Sequence, residues 1–404
     1  MKYFRRILLL VVSFLAISLI FGHHQTAMAE FDCKTVTEIP LSECDALVTF
    51  YSSTSGESWA NNDGWLISIT PCGWHGVSCF GGHITRLQLW FNQLTGNIPA
   101  ELGNLANLEY LILRGNELTG NIPAELGNLA NLEYLYLGDN QLTGNIPAEL
   151  GNLANLEYLY LGGNQLTGNI PAELGNLANL QSLELWNNQL TGSIPTELGN
   201  LVNLEYLYIG DNQLTGSIPA ELGNLDNLEY LMLQENQLTG NIPAELGNLA
   251  NLKNLEIYSN QLTGNIPAEL GNLANLQFLD IGINRLTGGI PAELENLTNV
   301  RSLYLDSNCL IGEIPIELMN LENLGWMDIC RNHLYTNDSE LRDFLDEKAG
   351  DWEACQTHLC ICDFDYDGDI DGSDLADYII GSGTIDLEEF SENFGKTNCL
   401  CAEI

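Results

Sequence analysis

Six aspartates lie within twelve residues near the C-terminal end: Asp363, Asp365, Asp367, Asp369, Asp371 and Asp374. Carboxylates at alternating positions of a turning loop converge on one centre, and an all-oxygen donor set suits a hard cation such as Ca2+. In that arrangement Asp363, Asp365 and Asp367 supply carboxylates, Asp369 its backbone carbonyl, Asp371 a water-mediated contact and Asp374 the closing carboxylate. Gly368 stands where the loop must bend, with Ile370 in its eighth position. Without a cation these acids repel one another, so the metal-free loop is expected to be loose. Further on, Gly383 to Phe390 has the form of the end of a second loop, but Tyr378, Ile380 and Ser382 occupy its first ligand positions. One ion is therefore expected.

Other chemistry is sparse. No nucleophile elbow, H-E-x-x-H or Gly-rich phosphate loop occurs, and only His75, His83, His333 and His358 follow residue 29. No catalytic residue is assigned, and the chain is not expected to be an enzyme. All 11 cysteines follow residue 29. Cys360 and Cys362 with Cys399 and Cys401 bracket the acidic segment and could staple its ends. Cys355, His358, Cys360 and Cys362 could instead hold zinc, although disulfides suit an exported chain better. Cys309, Cys330 and Cys355 have no evident partners.

The elements that carry these residues follow from a repeat. Asn92, Asn116, Asn140, Asn164, Asn188, Asn212, Asn236, Asn260, Asn284, Asn308 and Asn332 recur every 24 residues within L-x-x-L-x-L-x-x-N-x-L-T-G-x-I-P-A-E-L-G-N-L. In the coil from Leu108, the residues Leu108, Leu111, Leu113, Leu118, Ile122, Leu126 and Leu129 point inward. One coil cannot bury that set alone, whereas stacked coils share a continuous column. Leu111-x-Leu113 alternates like a short strand with one buried face. Asn116 stands where the chain turns in, so its amide can satisfy backbone groups that would otherwise be buried unpaired. About eleven coils at ~4.8 Å make a stack on the order of 50 Å long.

The repeat is the leucine-rich-repeat pattern. Its L-T-G-x-I-P segment resembles the plant-type class of receptor-kinase ectodomains and polygalacturonase-inhibiting proteins, over residues 84–335. Pro71-Cys72-Gly73-Trp74-His75-Gly76-Val77-Ser78-Cys79 resembles the N-terminal cap of the same family. That likeness implies a Cys72–Cys79 disulfide, with Cys33–Cys44 as the second. The acidic segment resembles an EF-hand loop of the dockerin kind, with Asp where the general motif ends in Glu, and would imply a cohesin-like partner. The incomplete second loop departs from the dockerin pattern.

The expected fold class is an α/β solenoid: a curved leucine-rich-repeat stack with a parallel concave sheet, a disulfide-bonded N-cap, a helical C-cap and a small α-helical calcium-binding module. The expected segments are a signal peptide over 1–29, the N-terminal cap over 30–83, the repeats over 84–335, a cap helix over 336–359 and the calcium module over 360–404. Ser42 with Asp45 has the form of a capping box, followed by an apolar stripe of Cys44, Leu47, Val48 and Tyr51. Leu341, Phe344 and Leu345 suggest the closing helix, started by Asn337 or Asp338.

Because the repeats are near copies, their differences are informative. A-E-L-G-N barely changes, and its recurring glutamates read as a solvated ladder. Variation gathers at the outward strand positions: Trp90, Tyr110, Tyr134, Tyr136, Tyr158, Tyr160, Glu184, Trp186, Tyr206, Tyr208, Tyr230, Glu256, Tyr258, Phe278, Asp280, Tyr304 and Trp326. Aromatics suit any half-exposed sheet. They also supply rigid contact area with a polar tip, so these residues are the candidate ligand-binding face. The interspersed acids suit Lys or Arg of a protein or peptide, or the hydroxyls of a glycan.

The formal net charge is −41, from 13 basic and 54 acidic residues, which disfavours nucleic acid and anionic membranes as partners. Lys2, Arg5 and Arg6, the apolar run from Ile7 to Phe21 and Ala27-Met28-Ala29 form a secretory leader cut after Ala29, an uncleaved anchor being the alternative. No later segment approaches ~20 apolar residues, so no transmembrane segment is expected in the mature chain, and the location is secreted or cell-surface.

Overall fold

The structure is a computed structural model, and it describes residues 31–356. The leader expected over 1–29, the aspartate loop 363–374 and Cys360, Cys362, Cys399 and Cys401 lie outside these residues. Within them the chain winds as a series of stacked coils, each giving one short strand to a 12-stranded sheet.

The sheet begins at the N-terminal cap with an antiparallel pair, β1 (Val77–Phe80) and β2 (His83–Gln88). Every later pairing in it is parallel and in register: Tyr110 opposes Arg86 and Tyr134, Leu111 opposes Leu87 and Leu135, and the pattern continues to Trp326–Asp328. A parallel ladder in strict register requires equal coil lengths, and the 24-residue period supplies them. Short parallel strands from the L-T-G segment pair along one flank, as in Thr95–Asn97 with Glu117–Thr119. Each A-E-L-G-N segment closes its coil as a 3-10 turn, such as Ala124–Asn128 after the extended Pro123.

The core is the column that the periodicity implies. Leu108, Leu111, Leu113, Leu118, Ile122, Leu126 and Leu129 are all buried. Full burial of one such side chain is worth roughly 1.5–3 kcal/mol, and a lone coil would leave its set in water on both sides. The buried asparagines hold the turns. Asn164 Oδ1 accepts from the Leu142 N–H at 3.0 Å, and Nδ2 donates to the carbonyls of Leu137 at 3.2 Å and Leu161 at 3.0 Å. One amide thus ties two coils together, and each neighbour repeats the bond. The glycine of A-E-L-G-N permits close stacking: a Cβ on Gly127 would overlap the Glu149 carbonyl of the next coil.

Both ends are capped. Helix α1 (Leu41–Ser53) buries Cys44, Leu47 and Tyr51 as expected, while Val48 is only partly buried. The capping box expected at Ser42 and Asp45 does not form. The helix starts at Leu41 after Pro40, and no side chain caps it. Proline pre-sets the backbone for entry into the helix, so α1 starts one residue before the polar pair. Its Phe50 packs on Trp59 and Trp65, which meet edge to face at 4.9 Å, and Trp74 packs on Trp65. Buried Glu43 accepts from the Ile84 N–H at 2.8 Å and meets His83 Nδ1 at 2.6 Å, which ties α1 to β2. The disulfides Cys33–Cys44 and Cys72–Cys79 form as the family resemblance implies.

At the other end, helix α2 (Ser339–Lys348) is capped by Asp338, whose Oδ1 accepts from the N–H groups of Glu340 and Leu341, each at 2.9 Å. Leu341 and Leu345 are buried under it and Phe344 packs at the margin. Cys355 pairs with Cys330, a disulfide that the sequence left open, so Cys355 is not a zinc ligand. Cys309 is also disulfide-bonded. The asparagine ladder runs one step beyond its last asparagine. Gln356 Oε1 accepts from Leu334 N at 3.1 Å, and its Nε2 donates to the Ile329 and Trp352 carbonyls. Among the described residues no helix is long and apolar enough to cross a membrane.

Candidate functional site

The concave sheet carries the expected residues, but they do not stand out from it alike. Tyr110, Tyr134 and Tyr158 oppose one another in parallel register, and their rings stack face to face, with centroids 4.5 and 4.8 Å apart. Tyr206 and Tyr230 stack at 5.2 Å. Buried Ser182 interrupts the ladder between the two groups. Stacking uses the ring faces, so these tyrosines present edges and hydroxyls outward. The Tyr158 hydroxyl donates to Gln181 Oε1 at 2.7 Å. Arg86 lies over the Tyr110 ring at 4.3 Å and closes the N-terminal end of the row.

The inner row is folded down. At the position after the second strand leucine, several coils carry glycine. A Cβ on Gly138 would overlap the Tyr160 ring, and one on Gly162 would strike the Trp186 indole. The larger side chain of the following coil lies across each glycine. Tyr160 is consequently buried, at 6% exposure, and not the outward contact that its strand position suggests. Its hydroxyl donates to Asp139 Oδ2 at 3.2 Å, Arg114 Nε donates to the same oxygen at 2.8 Å, and the Arg114 guanidinium lies over the Tyr160 ring at 4.5 Å. Trp186 donates to Glu184 Oε2 at 3.4 Å, and Ser182 to Glu184 Oε1 at 3.2 Å. Burial, with Glu184 nearby, pushes the Tyr136 hydroxyl up to about 12; burial likewise raises Tyr208. Of the candidate face residues, Trp90 and Trp326, toward opposite ends of the sheet, are the exposed aromatics at 61% and 51%.

Toward the C-terminal end the face turns acidic. Glu256, Asp280, Tyr304 and Asp328 oppose one another across consecutive strands, and Asp306 lies across Gly282. Their bonds come from neutral donors: Asn254 Nδ2 to Glu256 at 2.8 Å, Gly282 N to Asp280 at 3.0 Å, Ser307 to Asp306 at 3.0 Å and Cys330 N to Asp328 at 2.9 Å. Burial raises Glu256 and Asp306, and pushes Asp280 up to about 7, with Asp306, Glu256 and Asp328 adding to the rise and the Gly282 N–H opposing it. Phe278 and Tyr304 pack at 5.4 Å beside these acids. Tyr258 is partly buried near Glu235 and Glu256, its hydroxyl raised to about 12 chiefly by burial.

Sequence reasoning missed Asp139, which accepts from the Tyr160 hydroxyl, and Gln181, which accepts from that of Tyr158. Asp139 sits in the left-handed region at φ 53°. That position favours Gly, Asn or Asp for backbone reasons alone, which hides a side-chain role. Among the described residues no group of three His, Cys, Asp or Glu is arranged to hold a metal ion.

Leucine-rich-repeat family models match residues 82–142 and 107–166, 148–264, 275–297 and 299–321. Solved structures agree. The ectodomain of the Arabidopsis thaliana receptor kinase GASSHO1/SCHENGEN3, in complex with Casparian strip integrity factor 2, is 42% identical with a TM-score of 0.68, covering 72% of this chain and 36% of that one. The Arabidopsis receptor kinase HAESA, in complex with the peptide hormone IDA and a co-receptor, is 33% identical with a TM-score of 0.59, covering 72% and 54%. A plant ice-binding protein is 30% identical with a TM-score of 0.60, covering 69% of this chain and 90% of that one. The chain thus spans about a third to a half of the receptor ectodomains it matches.

Proposed function

Because the chain belongs to the leucine-rich-repeat family, in its plant-type form, we propose that it is a non-enzymatic binding protein whose concave face holds a peptide or protein ligand. One observation carries this reading. Side chains vary from coil to coil on the concave sheet, while the turns behind it are near copies. A surface selected only for stacking has no reason to vary on one face. Pre-stacked tyrosines supply contact area at low entropic cost, and the solved HAESA ectodomain is in complex with a peptide hormone. The disulfides suit an oxidising compartment, consistent with a secreted or cell-surface site of action. The test is selection from a displayed random-peptide library on the full chain, with counter-selection on a chain carrying Tyr134→Ala, Tyr208→Ala and Asp280→Asn. Enrichment on the parent alone supports the reading; equal enrichment on both rejects it.

The tail belongs to the same proposal as a calcium module held by Asp363, Asp365, Asp367, Asp369, Asp371 and Asp374. Calorimetry on the full chain should give one Ca2+ per molecule, and Asp363→Ala with Asp367→Ala should abolish the heat. Two further roles follow from the family resemblances: inhibition of an extracellular polysaccharide hydrolase, and attachment to a cohesin-like partner. A hydrolase inhibition assay and a cohesin pull-down separate them from ligand recognition by the concave face.

A second reading has its own observation. The flank carries Thr95, Thr119, Thr143, Thr167, Thr191 and Thr215 in successive coils, with exposed Asn97, Asn121, Asn145 and Asn169 beside them. The Thr119 hydroxyl donates to Asn97 Oδ1 at 3.0 Å. A monotonous row of hydroxyls and amides suits a target that is itself periodic, and one solved relative is an ice-binding protein. Inhibition of ice recrystallisation, lost on Thr143→Tyr with Thr167→Tyr, would favour this reading; no inhibition by the parent chain would dismiss it.

A further inference from the structure

The turns behind the sheet are near copies, and one departure among them changes what the surface can become. After the asparagine that ends each 3-10 turn, the second residue reads Ala106, Ala130, Ala154, Ala178, Val202, Asp226, Ala250 and Ala274, then Thr298, then Glu322. The coil with Thr298 therefore reads Asn296-Leu297-Thr298, an acceptor sequence for N-linked glycan with a non-proline centre. Asn296 closes the turn Ala292–Asn296. Both Asn296 and Thr298 are exposed, and between them Leu297 is fully buried. The Thr298 N–H donates to the Asn296 carbonyl at 2.8 Å, so the two side chains leave the same tight bend. Asn320, in the next coil, has given its amide to Glu295 Oε2 at 2.6 Å and is followed by no hydroxyl.

We infer that Asn296 is an N-glycosylation site, placing an oligosaccharide on the side of the solenoid away from the concave sheet. The co-reactant is an oligosaccharide joined to a polyprenyl diphosphate. The Asn296 side-chain nitrogen forms a bond to the anomeric carbon, the bond from that carbon to the diphosphate oxygen breaks, and the diphosphate leaves with the electron pair. The amide gives up one proton to a base of the transferase. The sugar then projects from the turn face, where it masks part of the glutamate ladder and leaves the tyrosine row and the acidic strip open. Export, which the disulfides suit, brings the chain to the compartment where this transfer occurs.

The chain holds one other such sequence, Asn337-Asp338-Ser339. There Asp338 caps helix α2 and Ser339 is its first residue. The experiment removes it: the full chain carrying Asn337→Gln is secreted from a glycosylating eukaryotic host, and its intact mass is read before and after peptide-N-glycosidase. One enzyme-sensitive glycan is expected, with Asp left at position 296 in the released peptide. Thr298→Ala restores the residue that most other coils carry, so folding is safe, and it should remove the glycan; Thr298→Ser should keep it. A secreted, folded Asn337→Gln chain without sugar, or one whose sugar survives Thr298→Ala, overturns the inference.

Discussion

The two halves of the concave sheet are built from the same coil and differ in whether their polar groups already have partners. In the N-terminal half the arginines are engaged within the molecule: Arg114 bonds Asp139 and covers Tyr160, and Arg86 covers Tyr110. In the C-terminal half amides and one hydroxyl donate to Glu256, Asp280, Asp306 and Asp328, and burial raises Glu256, Asp280 and Asp306 above the ordinary carboxylate range. One half is a finished, rigid surface. The other keeps unspent negative charge, and a ligand that brings a cation would relieve it. Backbone and core are indifferent to this distinction, so it resides in the side chains alone.

The largest expected effect tests the finished half. Tyr160→Ala removes a buried ring and leaves Arg114 and Asp139 without their cover, at a cost of about 3 kcal/mol. Tyr136→Ala, on a half-buried ring, should cost less than half as much. Equal losses in denaturant unfolding would mean that Tyr160 is no more embedded than its neighbour.

Next in size is a control that should ignore the division. Asn164→Leu and Asn284→Leu each remove one acceptor and the donors from a buried turn, one in each half. Each should cost about 1–3 kcal/mol through backbone groups left unpaired. A large difference between them would show that the ladder, and not only the face, changes along the stack.

The smallest effect is a pH dependence centred on Asp280 in the acidic half. Folded Asp280 titrates at about 7, against about 3.9 for an unperturbed aspartate. The folded state therefore holds an extra proton between those values, and stability falls as pH rises through that window, levelling off above it. Asp280→Asn should shrink the loss of Tm between pH 5 and pH 8, with Glu256 and Asp306 retaining part of it. An unchanged slope in Asp280→Asn would place the titration elsewhere.

The sequence made the coil legible because its causes are local and repeated: leucines at fixed spacing, an asparagine at each turn, a proline before each 3-10 segment. It also placed the candidate face, since outward strand positions follow from alternation. What it hid depends on contacts between coils. Tyr160 looks exposed by its own position, and its burial is decided by Gly138, one coil earlier. Cys330 and Cys355 lie 25 residues apart, close to one coil period, a signal that lost its force once the asparagines had stopped. Gln356 continues the ladder with a longer amide and therefore falls outside a search for asparagine. The start of α1 was misplaced because a polar pair resembled a cap, while Pro40 had already set the entry.

The central claim is that recognition resides on the concave sheet. The measurement that tests it most directly is the affinity of a library-selected peptide for three full-length chains: the parent, Tyr134→Ala with Tyr208→Ala, and Glu149→Gln with Glu173→Gln on the turn face. The account predicts a loss of about 2 kcal/mol or more for the concave pair, with no change for the turn-face pair. Retained affinity in the concave pair, with loss in the turn-face pair, would contradict it.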